Sequence, residues 1–235
     1  MKHTIIIPSY NPTEKLVVLT KELIKNKITN IIVIDDGSTN NPKKIYKSLP
    51  KEVKIYYNEE NKGKGYTLKE GISKLKDTDT FITVDNDGQH KTKDILKIIK
   101  ALENNDVVFG KRNFNKKGVP PKSKYGNKFS SLAYKLLTGK TCDDTQTGLR
   151  GFNIKYKDYL LKVEGDRFDY EMNVLLKLTK KKIKIKYINI ETIYEDNNKT
   201  TTFRAFKDSY LIYKKYIISL ILIIIIIIAL LLLFM

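Results

Sequence analysis

Phe81-Ile82-Thr83-Val84-Asp85-Asn86-Asp87-Gly88-Gln89-His90 is the segment around which the chain is organised. Phe, Ile, Thr and Val suit a buried strand. They run straight into two carboxylates spaced i, i+2 and a glycine able to turn the chain. Open α/β sheets take their ligands at the carboxyl ends of strands, so these acids stand at a ligand-binding position. Adjacent carboxylates repel each other, and a divalent cation between them removes that cost. Oxygen donors favour hard ions such as Mg²⁺ or Mn²⁺, which usually also hold a substrate's phosphates. From these ten residues alone, an Asx-type turn built by Asp85 and Asp87 remains the alternative.

Moving outward, the same plan repeats. Thr4 to Ile7 predicts a strand stopping at Pro8, and Ile31 to Ile34 a second ending in Asp35-Asp36-Gly37-Ser38. Val53 to Tyr57 gives a third, and Val107 to Gly110 a fifth, followed by Lys111-Arg112. Between them, 13–27, 42–49, a stretch opened by 61–65 and reaching about 75, and 92–103 carry helical patterns. Strands alternating with helices indicate βαβ units, hence an α/β, Rossmann-like, mainly parallel sheet flanked by helices. In such a sheet the polar strand ends share one rim.

The second half is less regular. Asn113 to Lys122 reads as a loop, Ser123 to Thr138 as a helix, and Gly139 to Gly148 as a polar loop. Leu149 to Asn153 reads as a strand, Asp169 to Lys180 as a helix, and Lys182 to Ile190 as an edge strand protected by its lysines.

Lys and Arg number 44 against 26 Asp and Glu, a formal charge of +18. That balance points to a polyanionic partner: nucleic acid, an anionic membrane or phosphorylated substrates. One cysteine, Cys142, excludes an internal disulfide and a multi-cysteine metal cluster, and with only His3 and His90 a His-rich zinc site is not expected. Met1-Lys2-His3 leads into too short an apolar run for a signal peptide. From Ile217 to Met235, by contrast, Ser219 alone is polar. As a helix this stretch spans about 28 Å, close to the ~30 Å hydrocarbon core of a bilayer. Tyr213, Lys214, Lys215 and Tyr216 precede it as a positive-inside, aromatic flank. The expected organisation is a catalytic domain over 1–202, a juxtamembrane amphipathic helix over 203–216 and a transmembrane helix over 217–235. The catalytic domain would face the cytoplasm from a single-pass anchor in the cell membrane.

Five segments occur in order: Ile7-Pro8-Ser9-Tyr10-Asn11, Val33 to Ser38, Asn61-Lys62-Gly63-Lys64-Gly65, Val84 to His90, and Gly148-Leu149-Arg150-Gly151-Phe152. Together they resemble the family-2 glycosyltransferases with a GT-A fold, in particular the polyprenyl-phosphate glycosyltransferases related to dolichyl-phosphate mannose synthase. The resemblance covers roughly residues 3–210. It implies metal-dependent, inverting transfer of a hexosyl or acetamidohexosyl group from a nucleotide diphosphate sugar to a membrane polyprenyl phosphate, serving a cell-envelope glycan.

The resemblance also implies roles. Pro8, Tyr10, Asn11, Asp36, Lys64, Asp85 and Arg112 would bind the nucleotide-sugar, with Asp85, Asp87 and Gln89 holding Mg²⁺ or Mn²⁺. Asp87, Arg112 and Asp144 would serve catalysis, and Asp144, Gln146, Glu171, Lys199 and Arg204 the acceptor. Two departures stand out: Asn86 where Ala is usual between the aspartates, and Thr202 where the subgroup commonly has His.

Three other functions would account for part of the sequence. A glycosyltransferase using a lipid-linked sugar or a protein acceptor would share the donor half and differ in its acceptor loops. A nucleotidyltransferase would carry a Gly-rich loop where Pro8 to Asn11 stands. A tail-anchored nucleic-acid-binding protein would account for the charge but leave the strand-end carboxylates unexplained, so no nucleic-acid partner is expected. A single span suits one sugar addition better than a processive synthase, and leaves room for a separate membrane protein partner.

Overall fold

The computed structural model describes residues 1–116 and 118–191. Lys199, Arg204 and Thr202, the juxtamembrane segment 203–216 and the apolar segment 217–235 lie outside the described residues. Among the described residues, no helix is long and apolar enough to cross a membrane.

A seven-stranded sheet runs in the order β3-β2-β1-β4-β6-β5-β7. Its strands are β1 (His3–Ser9), β2 (Ile31–Asp35), β3 (Val53–Tyr57), β4 (Thr80–Thr83), β5 (Val107–Arg112), β6 (Arg150–Asn153) and β7 (Lys186–Ile190). Only β6 runs against its neighbours β4 and β5, so β5 regains the direction of β1, β2 and β4. The chain winds outward from β1 to β3 on one side and resumes at β4 on the other. The β1–β4 junction is therefore a topological switch point, where a crevice opens beyond the strand ends.

Burial on both faces explains the central strands. Ile5, Ile6, Ile7, Ile31, Val33, Phe81 and Ile82 are wholly inaccessible to solvent, as near-continuous apolar runs in a covered parallel sheet should be. Helices α1 (Glu14–Lys25), α2 (Lys43–Lys47), α3 (Lys64–Ser73) and α4 (Thr92–Leu102) follow β1 to β4. Leu16, Leu19 and Leu23 of α1, with Ile95, Ile98 and Leu102 of α4, close the core.

The boundaries differ from the sequence reading in ways that have physical causes. β1 continues through Pro8 to Ser9. Its last partner on β4 is Ile6, paired with Thr83. Alternate residues face the same neighbour, so the N–H that Pro8 lacks would point where β4 has already left the ladder. Helix α5 (Pro121–Thr138) starts earlier than expected, with proline at its first turn, where a missing N–H costs nothing. Residues 182 and 183 do not begin a strand. Their N–H groups donate to Thr179 and Leu178 carbonyls and close the end of α7 (Asp169–Lys180). A short helix α6 (Lys157–Leu161) between β6 and α7 was not anticipated. β7 occupies the sheet edge, with Lys186 exposed.

Candidate functional site

The carboxyl ends of β1, β2, β4 and β5 bring Ser9 to Asn11, Asp35 to Ser38, Val84 to His90 and Lys111-Arg112 to one rim. Pro8 is buried and Tyr10 half-buried there. Asn11 takes a positive φ of 50°, which asparagine tolerates better than most residues. Its N–H donates to Ser38 Oγ at 2.8 Å, and its Oδ1 accepts from the N–H of Thr39 at 2.8 Å and of Asn40 at 3.2 Å. The loops after β1 and β2 are thereby fixed to one another.

Asp36 is buried and spends its oxygens within the protein. Oδ1 accepts from Asn58 Nδ2 and Lys62 N–H, both at 3.0 Å, and Oδ2 accepts from Gly63 N–H at 2.9 Å. It fastens the turn that opens α3 to the rim. Gly63 takes φ 104°, and a Cβ there would lie 2.5 Å from the carbonyl oxygen of Asp166. The turn is thus pressed against the segment leading into α7.

That turn delivers Lys64 into the site. Its Nζ lies 2.7 Å from Asp85 Oδ1 and 2.8 Å from Glu171 Oε2. Both acids together hold its ammonium above the usual lysine range although burial acts the other way. Burial likewise opposes ionisation of Asp85, but Lys64 and then His90 outweigh it, leaving the carboxyl well below the usual range. His90 Nε2 lies 3.6 Å from Asp85 Oδ2. Glu171 is buried, and its Oε1 has no hydrogen-bond partner among the described residues.

Asp87 behaves oppositely. Burial, then the charge of Asp85, raise its carboxyl above the usual value. Its Oδ1 accepts from Gln89 N–H at 2.9 Å, so an Asx turn does form, using one oxygen of one of the two acids. Asn86 donates from Nδ2 to Ser9 Oγ at 3.0 Å, tying β4 to β1. Gly148 completes the wall: a Cβ there would fall 2.1 Å from Asp85 Oδ2.

The third part of the rim is an ion pair. Asp144 is wholly buried, and Arg112 grips it with Nε on Oδ2 and Nη2 on Oδ1, both at 2.8 Å. The Arg112 N–H adds 3.0 Å to Oδ2, and Gln146 N–H reaches Oδ1 at 3.3 Å. Burial disfavours the Asp144 charge, but Arg112 prevails and depresses its pKa. A carboxylate so occupied is a poor proton acceptor; its physical effect is to fix the guanidinium at the rim.

Asp85, Asp87 and Gln89 offer two carboxylates and an amide, all hard oxygen donors. Among the described residues no group of three or more His, Cys, Asp and Glu side chains is placed to hold a metal ion, so any site here must rest on fewer carboxylates. The set fits Mg²⁺ or Mn²⁺, which commonly take one or two carboxylates and complete their shell from water and substrate phosphates. Burial first, and the Asp85 charge second, raise the Asp87 carboxyl, and a cation shared by the two acids would relieve the repulsion between them.

Lys64, Asp85 and Glu171, separately expected to touch nucleotide, metal and acceptor, are brought into one contact, and Arg112 and Asp144 into another. Sequence reasoning missed His90 as a neighbour of Asp85, although it closes the very segment that drew attention. It also missed Arg150, which donates from Nη1 to the Glu171 carbonyl at 2.6 Å.

The family model for glycosyl transferase family 2 matches residues 4–160, spanning β1 to α6. The chain belongs to this family. Its family-2 relatives include a UDP-N-acetylglucosamine–dolichyl-phosphate N-acetylglucosaminyltransferase of Methanococcus voltae, 32% identical over 82% of this chain and 86% of that protein. Dolichyl-phosphate beta-glucosyltransferase of Saccharomyces cerevisiae is 26% identical over 92% of this chain and 75% of that protein. Among solved structures, glucosyl-3-phosphoglycerate synthase of Mycobacterium tuberculosis with Mn²⁺, uridine diphosphate and phosphoglyceric acid aligns with a TM-score of 0.64. That alignment covers 93% of this chain and 77% of the synthase at 15% identity, a likeness of fold. The sheet is a GT-A sheet.

Proposed function

We propose that this family-2 glycosyltransferase moves a hexosyl or acetamidohexosyl group from a nucleotide diphosphate sugar to a polyprenyl phosphate, inverting the anomeric carbon. The observation that carries this reading is the Lys64–Asp85–Glu171 contact beside Asp87. It sets metal-type oxygen donors and a cation at the switch point of the sheet. Support for the acceptor comes from the relatives whose names specify dolichyl phosphate. Those names include N-acetylglucosamine and glucose, which sets the first sugars to try.

In this reading Asp85, Asp87 and Gln89 hold Mg²⁺ or Mn²⁺, which when bound stabilises the charge of the departing diphosphate. Pro8, Tyr10 and Asn11 flank the nucleoside, while Asp36 acts through the α3 turn and sets Lys64 in place. Arg112, oriented by Asp144, presents positive charge at the rim to phosphate. The acceptor phosphate monoester has a second pKa of about 6 and is largely dianionic at pH 7, so its oxygen attacks without a dedicated base. Asp144 is then a positioning residue rather than a base, and Gln146 and Glu171 line the acceptor side. Lys199 and Arg204 would draw in the lipid headgroup. Domain 1–202 would be held at the membrane by 203–216 and 217–235, its catalytic face cytoplasmic.

An acceptor panel tests this reading. Full-length protein is given labelled UDP- and GDP-sugars with polyprenyl phosphate, a polyprenyl diphosphate sugar, or a peptide. The expected product is a polyprenyl phosphate monosaccharide. Label appearing only on the lipid-linked sugar or on the peptide would overturn the acceptor assignment.

A further inference from the structure

Helix α5 is built inside out. Its buried residues are Asn127, Ser130 and Tyr134. The residues it turns to solvent include Tyr125 at 69% exposure, Phe129 at 59%, Leu132 at 55% and Leu136 at 72%. At about 100° per residue, these four fall within an arc of about 60°. The same arithmetic sets that arc opposite the buried side of the helix. A surface helix normally does the reverse, burying its apolar stripe and solvating its polar one. Large exposed apolar patches mark interaction sites.

The inward face has its own task, which explains why it is polar. Asn127 Nδ2 donates to the carbonyl of Asp143, Ser130 Oγ lies 2.7 Å from Thr145 Oγ1, and Tyr134 Oη lies 2.7 Å from Thr179 Oγ1. These contacts seat α5 on the loop that carries Asp144 and on α7. The exposed stripe lies on the opposite side of the helix from that seat.

The charge beside the stripe identifies what covers it. Lys124, Lys128 and Lys135 are exposed along one flank and Lys122 on the other. Apolar side chains bordered by lysines are the pattern of a helix lying in the plane of a bilayer surface, its apolar residues among acyl chains and its ammonium groups at anionic headgroups. A second protein copy would have to bury those same lysines against identical lysines. We propose that α5 is a membrane-contact helix. Tyr125, Phe129, Leu132 and Leu136 enter an anionic lipid surface and hold the Asp143–Gln146 loop against it. This contact is additional to the predicted segments 203–216 and 217–235, and it rests on the helix alone, whatever sugar or acceptor the enzyme uses.

The chain contains no tryptophan, so Leu136→Trp supplies a single reporter at a solvent-facing position. Full-length variant protein is reconstituted in vesicles of phosphatidylglycerol and phosphatidylcholine, with and without brominated acyl chains. The expected result is a blue-shifted emission that brominated lipid lowers by at least about twofold. Val18→Trp, an exposed site on α1, should emit as in water and escape quenching. Adding Leu132→Asp to Leu136→Trp should relieve the quenching while the circular dichroism spectrum stays unchanged. A water-like, unquenched emission at position 136 would overturn the proposal. So would a blue shift without quenching, which would mean that protein and not lipid covers the stripe.

Discussion

The two halves of the rim are built by different means. On the side proposed for the donor, Pro8 to Asn11, Asp36 and Asp85 to Gln89 stand at or just beyond the ends of parallel strands, so the sheet brings them together and the Asn11 and Asn86 side chains only tie the loops. On the side proposed for the acceptor, Asp144, Gln146 and Glu171 follow no parallel strand. They are held by long-range polar contacts: Arg112 to Asp144, Arg150 to the Glu171 carbonyl, and α5 to the 143–145 loop. One half rests chiefly on backbone ladders and the other chiefly on side chains. Damage to the donor half should therefore appear in chemistry, and damage to the acceptor half first in stability.

The sharpest challenge to that contrast is Gly148→Ala. The added Cβ would meet Asp85 Oδ2 at 2.1 Å, so Asp85 must move. A displacement of about 1 Å costs on the order of 10²-fold in rate. Transfer should fall by about that factor with donor in excess, while the melting temperature changes little. A large fall in melting temperature with normal turnover of the folded fraction would erase the distinction.

Arg112→Ala probes the other half. It leaves the buried Asp144 charge unpaired, a change costing about 3–5 kcal/mol. Urea unfolding should show that loss, and Asp144→Asn in the same chain should restore part of it. If the double variant is no more stable than Arg112→Ala, the ion pair does not organise this half.

The same pair predicts an acid limb. The Asp144 pKa is depressed in the folded chain, so its contribution is complete above the unfolded carboxyl value of about 3.9. It is lost as the pH falls through the lower folded value. Stability measured by urea titration from neutral pH downward should therefore decline more steeply below that unfolded value in wild type than in Arg112→Ala. Parallel curves would remove Asp144 as the source.

The smallest effect is expected at Asn86→Ala. It removes the hydrogen bond to Ser9, worth about 1 kcal/mol, and should leave transfer within a few-fold of wild type. A complete loss of transfer would show that the side chain between the two aspartates takes part in the site.

This contrast also explains what could be read from the sequence. The parallel core was legible because Ile-rich runs end in polar turns, a signal contained within each segment. Gly63 and Gly148 were visible as members of motifs, but their tasks depend on Asp166 and Asp85, which only the fold brings near. Lys64 and Glu171 are separated by 107 positions, so neither carries a local sign of the other. Asp36 stood out as a ligand-facing acid, and the structure shows it tied to the Lys62 and Gly63 N–H groups. The apolar stripe of α5 follows a helical period, so its spacing gives a helix but not which face is buried. That was decided by Asn127, Ser130 and Tyr134, whose partners lie elsewhere in the chain.

The central claim is that Asp85 and Asp87 serve metal-supported sugar transfer to a lipid phosphate. It is tested most directly by following label from a nucleotide sugar into polyprenyl phosphate with wild-type and Asp87→Asn protein, first with EDTA and then after adding back Mn²⁺. Wild type should be silent in EDTA and recover with the metal, while Asp87→Asn stays silent in both and remains folded. Transfer that persists in EDTA, or an Asp87→Asn protein that works at the wild-type rate, would contradict the account.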